Sequence, residues 1–197
     1  MNAPVSGSKL IEVGDPAEWQ AVDRKPFAFR HNLARHPLLS LSRIADLSEQ
    51  VIATRNHGKY MASSVPGTTK AEVKRQLRDA ILNLGESDAW LKLSYVNEVD
   101  PEYERLFDRL LAELELLIGI EIRKLMTWSG MTIFMNSPNL VVPYHFDHDS
   151  NFLLQIEGEK DVCLFDHEDR SILTEPEIED FYQDHPIAGI WRDELDA

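Results

Sequence analysis

With 197 residues, 43% of them hydrophobic and 27% charged, the chain has an ordinary globular composition, long enough for one domain with a real core and short for two. Twenty Lys and Arg against 34 Asp and Glu leave a net charge of −14. That charge repels nucleic acid and anionic membrane at long range and argues against a DNA-binding regulator.

The opening stretch "MNAPVSGSKLIEVG" has no long apolar core behind a basic flank, which reads as no signal peptide. No apolar run approaches the ~20 residues of a membrane span, so the expected location is cytoplasmic. Residues 1–20 are expected to form a flexible arm, and 21–197 a single domain. Over 40–119 the hydrophobic period is helical. Ser40 caps a stripe of Leu41, Ile44, Ala45, Val51 and Ile52. Thr68 or Thr69 precedes a second stripe of Val73, Leu77, Ile81 and Leu84. The clearest helix starts with Asp100 as cap and Pro101 at the first helical position, and buries Tyr103, Leu106, Phe107, Leu110, Leu114 and Leu117.

From Met131 the period changes to two. "MTIFMN", "LVVPYHF", "NFLLQIE" and "DVCLF" read as four strands over 131–166, separated by turn residues. A short helix, "TEPEIEDFYQ", follows with Thr174 and Glu177 at capping-box spacing, in a closing region 174–197. Helices first and antiparallel strands later make an α+β order, with the helical region packed on a sheet or partial barrel. The only cysteine, Cys163, excludes an internal disulfide framework and a cysteine-rich zinc site.

Chemistry concentrates at "YHFDHDSNFLLQIEGEK", residues 144–160. Side chains two apart on a strand share a face, so His145 and Asp147 converge if the strand continues through Asp147. An imidazole nitrogen and a carboxylate oxygen are two members of the two-His-one-carboxylate set that binds Fe(II) and leaves positions open. A bare His-x-Asp also reads as a polar loop at a strand end. Other metal and nucleophile readings fail on detail. Asp147, Asp149 and Asn151 imitate the start of a calcium loop, but Phe152 stands where its glycine belongs and Gly158 where its glutamate belongs. "TWSGM" has Thr127, not glycine, two residues before Ser129, so it is no nucleophile elbow.

The wider stretch "YHFDHDSNFLLQIEGEKDVCLFD" resembles the segment of cupin-like, JmjC-type dioxygenases that carries the proximal iron ligands. The matches are His145, Asp147, Asn151, Phe152, Gln155, Gly158 and Lys160, and "RSILTEPEIEDFY" is similar to the bacterial cupin-like group. The resemblance implies a double-stranded β-helix, or cupin-like jelly roll. In it His145 and Asp147 would ligate Fe(II), and Lys160, with Asn151 and Gln155 nearby, would hold 2-oxoglutarate as co-substrate. Lys160 would then lie on an inward strand face beside Leu153 and Gln155, where a buried ammonium needs an anionic partner. Without the motif Lys160 reads as a solvated turn lysine. Val142 departs from the pattern, since some relatives carry there a hydroxyl that supports the same carboxylate.

In the family a second iron histidine sits on a late strand beyond the lysine. Here only His167 and His185 follow Lys160, in the polar contexts "FDHED" and "YQDHPIAG", and each reads as a surface histidine. The resemblance therefore implies the helical region and the proximal part of the barrel, without the distal metal histidine. Its early strands would lack the late strands as ladder partners. The expected activity is hydroxylation of a C–H bond in a protein side chain or small molecule. The alternative is a non-enzymatic remnant or binding module, and a homo-oligomer is compatible with either.

Overall fold

A computed structural model of the chain describes residues 8–54, 61–63, 69–86, 90–142, 144, 145, 147, 149–166 and 168–183. The chain divides into two units, Met1–Leu140 and Val141–Ala197. The first is mixed helix and sheet, consistent with the predicted α+β class, although two of its strands lie between the helices rather than after them.

Asp15 caps the short helix α1 (Pro16–Trp19), accepting from the Ala17 N–H at 2.9 Å. Ser40 caps α2 (Leu41–Ala53), and Thr69 caps α3 (Lys70–Leu82) through a reciprocal capping box with Glu72. The two helices pack together through the predicted stripes, with Ile44, Ala45, Leu47, Val51 and Ile52 facing Leu77 and Ile81 in the core. On the outside, Arg78 reaches Asp46 and Glu49 across the pair. These exposed bridges set register more than stability.

Helix α4 (Val96–Val99) leads into α5 (Pro101–Ile118). The buried face of α5 is Tyr103, Leu106, Leu110, Leu111, Leu114 and Ile118, close to the predicted stripe, while Phe107 and Leu117 are half-buried. Gly119 ends the helix in the left-handed region (φ 81°), where a Cβ would be strained, and donates to the Glu115 carbonyl.

Three strands form an antiparallel sheet in the order β1 (Met61–Ser63), β2 (Trp90–Leu93), β3 (Ile133–Asn136). Leu91 lies opposite Met135 and Leu93 opposite Ile133, and these four point inward. Trp90, Lys92 and Phe134 take the outer face, where the Lys92 ammonium stands 5.6 Å from the centre of the Phe134 ring. The strand at 90–93 falls inside the window predicted to be helical. It is too short to announce itself, and its pairing with β3 decides its conformation.

Residues 8–20, predicted as part of a flexible arm, are instead tied to α5. Leu10, Ile11 and Trp19 are buried, and Ile11 bridges His31. Trp19 sits against Phe27 and Phe29 with centroids 5.3 and 5.1 Å away. Among the described residues its indole N–H has no hydrogen-bond partner, and the aromatic packing helps to offset its desolvation. Glu113 Oε2 accepts from both the Leu10 and the Ile11 N–H, at 2.7 and 3.0 Å. Glu113→Ala would strand two partly buried donors and is expected to lower stability by about 2–3 kcal/mol. Glu113→Gln, which keeps an acceptor, should lose roughly half of that. Urea unfolding of the two variants checks this, and equal midpoints for wild type and Glu113→Ala would refute it.

Among the described residues, the strands predicted at "LVVPYHF", "NFLLQIE" and "DVCLF" are absent. No described residue from 140 to 165 lies in a strand, and only "MTIFMN" yields one, because β2 is there to pair with it. A strand needs a neighbouring strand to complete its ladder, and among the described residues the later segments pair with none. What survives is the period. Phe152, Leu154 and Ile156 are half-buried, while Leu153, Gln155 and Glu157 between them are exposed. In the second unit the predicted helix forms as α6 (Glu175–Tyr182), with the Thr174 N–H and hydroxyl both donating to Glu177 Oε2 at 2.8 and 2.7 Å. Among the described residues no helix is long and apolar enough to cross a membrane.

Candidate functional site

The segment 141–166 belongs to the second unit and holds every residue singled out from the sequence as a ligand or co-substrate contact. The Tyr144 and Phe165 rings meet edge to face at 5.5 Å, which brings the two ends of the segment together as a loop. His145 and Asp147 are both exposed near the start of that loop. Asn151 Nδ2 donates to Asp147 Oδ2 at 3.0 Å and to the Asp149 carbonyl at 3.2 Å. One carboxylate oxygen of Asp147 is thereby oriented, and Oδ1 has no partner among the described residues.

Gln155 and Lys160 are not placed as the resemblance implies. The Gln155 carboxamide donates to the Glu157 carbonyl at 2.8 Å, closing the turn that Gly158 completes at φ 74°. Gln155 and Leu153 lie on the exposed side of the alternation rather than on an inward face. Lys160 is exposed, outside any strand, and among the described residues has no ion-pair partner. Its ammonium keeps its hydration, which removes the physical need for a buried anion beside it.

Val142 is exposed as well, and with Val141, Leu153, Val162 and Leu164 it leaves a set of large apolar side chains in solvent across this one segment. Scattered exposed apolar residues are ordinary. Five within 24 positions that read as strands are the mark of β-sequence without its sheet.

One imidazole and one carboxylate have the donor chemistry for Fe(II), but a facial triad needs a third donor. Among the described residues no group of three or more His, Cys, Asp or Glu side chains is placed to hold a metal ion. His167 and His185, like His148, lie outside the described residues. The described residues therefore show no metal site.

A second concavity lies in the first unit and was not singled out from the sequence. It is a groove of about 390 Å³ between α5 and the stretch that follows it, lined by Glu104, Phe107, Asp108 and Leu111 on the helix and by Arg123, Met126 and Trp128 beyond it. Its signal in the sequence is the cluster of apolar residues in "IRKLMTW", which follows the helix without periodicity. No protein-family model, curated protein or solved structure matches the chain.

Proposed function

We propose that the chain is a cupin-like, JmjC-type relative of the Fe(II)- and 2-oxoglutarate-dependent dioxygenases, with residues 131–166 corresponding to the early strands of a double-stranded β-helix. The observation that carries this reading is the run His145, Asp147, Asn151, Phe152, Gln155, Gly158 and Lys160. The hydrogen bond from Asn151 to Asp147 supports it, since one residue of the run orients another. In this reading His145 and Asp147 are two ligands for Fe(II), and Asn151, Gln155 and Lys160 belong to the 2-oxoglutarate side of the site. When bound in a complete site, iron with 2-oxoglutarate and dioxygen supplies hydroxylation of a C–H bond, on a protein side chain or small molecule, with succinate as co-product. A cytoplasmic location fits this reading.

The second reading is a non-enzymatic module that keeps metal affinity at His145 and Asp147 without turnover. It is favoured by the solvation of Lys160 and by the lack, among the described residues, of a group of three metal donors.

Anaerobic titration with Mn(II), followed by its paramagnetic resonance signal, tests the shared part of both readings. Weak binding is expected, reduced about tenfold or more by His145→Ala and by Asp147→Ala. Binding that neither variant changes would overturn the metal assignment. Succinate formation from 2-oxoglutarate with Fe(II) and ascorbate separates the two readings. Slow or absent turnover is expected of this chain, and robust turnover lost in His145→Ala would remove the non-enzymatic reading.

A further inference from the structure

The groove between α5 and residues 123–129 is built before anything binds to it. Tyr95 holds a left-handed backbone conformation (φ 54°), and its ring lies so close to Gly130 that a Cβ there would come within 2.5 Å of it. The Val96 N–H donates to the Met131 carbonyl at 3.0 Å, and the Met131 N–H to Asn97 Oδ1 at 2.8 Å. Trp128 is thereby fixed edge to face against Tyr95, with centroids 6.1 Å apart, while remaining 54% exposed. Its indole is a rigid wall left in solvent, with exposed Met126 beside it and half-buried Phe107 opposite on the helix.

The charges of the groove are not balanced. The Arg123 guanidinium is already used, donating to Glu115 Oε2 at 2.9 Å and to the Asp108 carbonyl at 2.6 Å. Glu104 and Asp108 are exposed, and among the described residues neither carboxylate has an ion-pair or hydrogen-bond partner. They stand four positions apart on α5, so their side chains are neighbours one helical turn apart, ~5–6 Å at Cβ. An anion is repelled here, most of all in a chain of net charge −14. A neutral apolar ligand would leave two carboxylates desolvated with nothing to pair with. A cation with an aliphatic body answers both features, because methylenes cover the indole and ammonium groups meet the carboxylates and the ring face.

We propose that this groove binds a small alkyl diammonium, its carbon chain lying on Trp128 and Phe107 and its two ammonium groups at Glu104 and Asp108. The spacing of one helical turn selects a diamine of about four methylenes over a single ammonium. The site lies in the first unit and is independent of the metal reading.

The test uses the full chain and 1,4-diaminobutane, followed by tryptophan fluorescence and by calorimetry. A saturable change is expected, absent in Trp128→Phe, at least tenfold weaker in the Glu104→Gln/Asp108→Asn double variant, and weakened by added salt. Both substituted carboxylates are exposed, so the double variant should keep its fold, which the far-UV dichroism spectrum verifies. Butylamine should bind more weakly than the diamine, and 1,4-butanediol should not bind. No saturable change up to about 10 mM diamine, equal binding of the diol, or an unchanged affinity in the double variant would each overturn the proposal.

Discussion

Asp100→Ala is expected to lower the stability of the chain by about 2–4 kcal/mol, the sum of a lost helix cap and a lost charge-assisted hydrogen bond. Asp100 is 5% exposed, and each of its carboxylate oxygens has a separate task. Oδ1 accepts from the Glu102 N–H at 2.8 Å and so caps α5, a contact that by itself contributes about 1 kcal/mol. Oδ2 pairs with Arg43, which joins α2 to the start of α5. Arg43 also reaches Glu102 at 3.0 Å and lies 5.2 Å from the centre of the Tyr103 ring. Tyr103 is fully buried, its hydroxyl donates to the Leu38 carbonyl, and burial pushes its phenol pKa well up. Removing Asp100 therefore leaves the Arg43 guanidinium with only the more exposed Glu102 as carboxylate partner, and α5 without its cap, at the point where α2, α5 and the 37–39 turn meet.

Asp100→Asn should cost less, since the amide oxygen can still cap. Urea unfolding midpoints order the three proteins, and a loss below about 1 kcal/mol for Asp100→Ala would show that water replaces the carboxylate.

The same residue sets a pH dependence. Burial alone would raise the Asp100 carboxyl, but the hydrogen bonds from Arg43 and from the Glu102 N–H outweigh it and hold the pKa below the ordinary value. With the folded pKa below the unfolded one of ~3.9, the charged pair contributes its full stability above about pH 4. That contribution is lost as the pH falls through the lower, folded value. Asp100→Asn should flatten this acid limb of the stability profile while leaving the neutral plateau merely lower.

What could be read in advance follows from how local each signal is. Helix α5 was legible because its cap, its first-turn proline, its apolar stripe and its terminal Gly119 all lie within twenty positions and agree. Strand β2 was not, because "WLKL" offers only two inward positions and takes its conformation from Ile133–Asn136 on the far side of α5. The predicted strands beyond 140 carry the right period, and Phe152, Leu154 and Ile156 keep it, but a period cannot supply the ladder partner. At the candidate site the contact between Asp147 and Asn151 is a local one between residues four apart, and the motif contains both. The resemblance implies Lys160 on an inward strand face, the residue alone reads as a solvated turn lysine, and it is exposed. The groove at Trp128 was invisible because it combines a helix face with an irregular stretch, and only the fold brings Glu104 and Asp108 beside the indole.

Separated fragments are expected to behave in opposite ways. Among the described residues, every buried apolar side chain of the core except Ile172 lies in the first unit. The sheet, the packing of α2 on α3, the Arg43–Asp100 hub and the Glu113 clamp on Leu10 and Ile11 are all made within it. A fragment of residues 1–140 has the hydrophobic burial that a cooperative transition requires. It should unfold in urea with a single sigmoidal transition close to that of the full chain. Among its described positions, a fragment of residues 141–197 has one buried apolar residue, exposed Val141, Leu153, Val162 and Leu164, and no strand. Its conformational entropy, ~1–2 kcal/mol per ordered residue for the backbone alone, has almost no burial to oppose it. It should show no cooperative transition. In the full chain, mild proteolysis should cut within 141–166 before it cuts within α5 or the sheet, since local opening there breaks little packing. A steep transition for 141–197 alone, or first cuts inside Pro101–Ile118, would mean that the second unit carries a core of its own. The half-barrel reading of its strands would then have to be replaced.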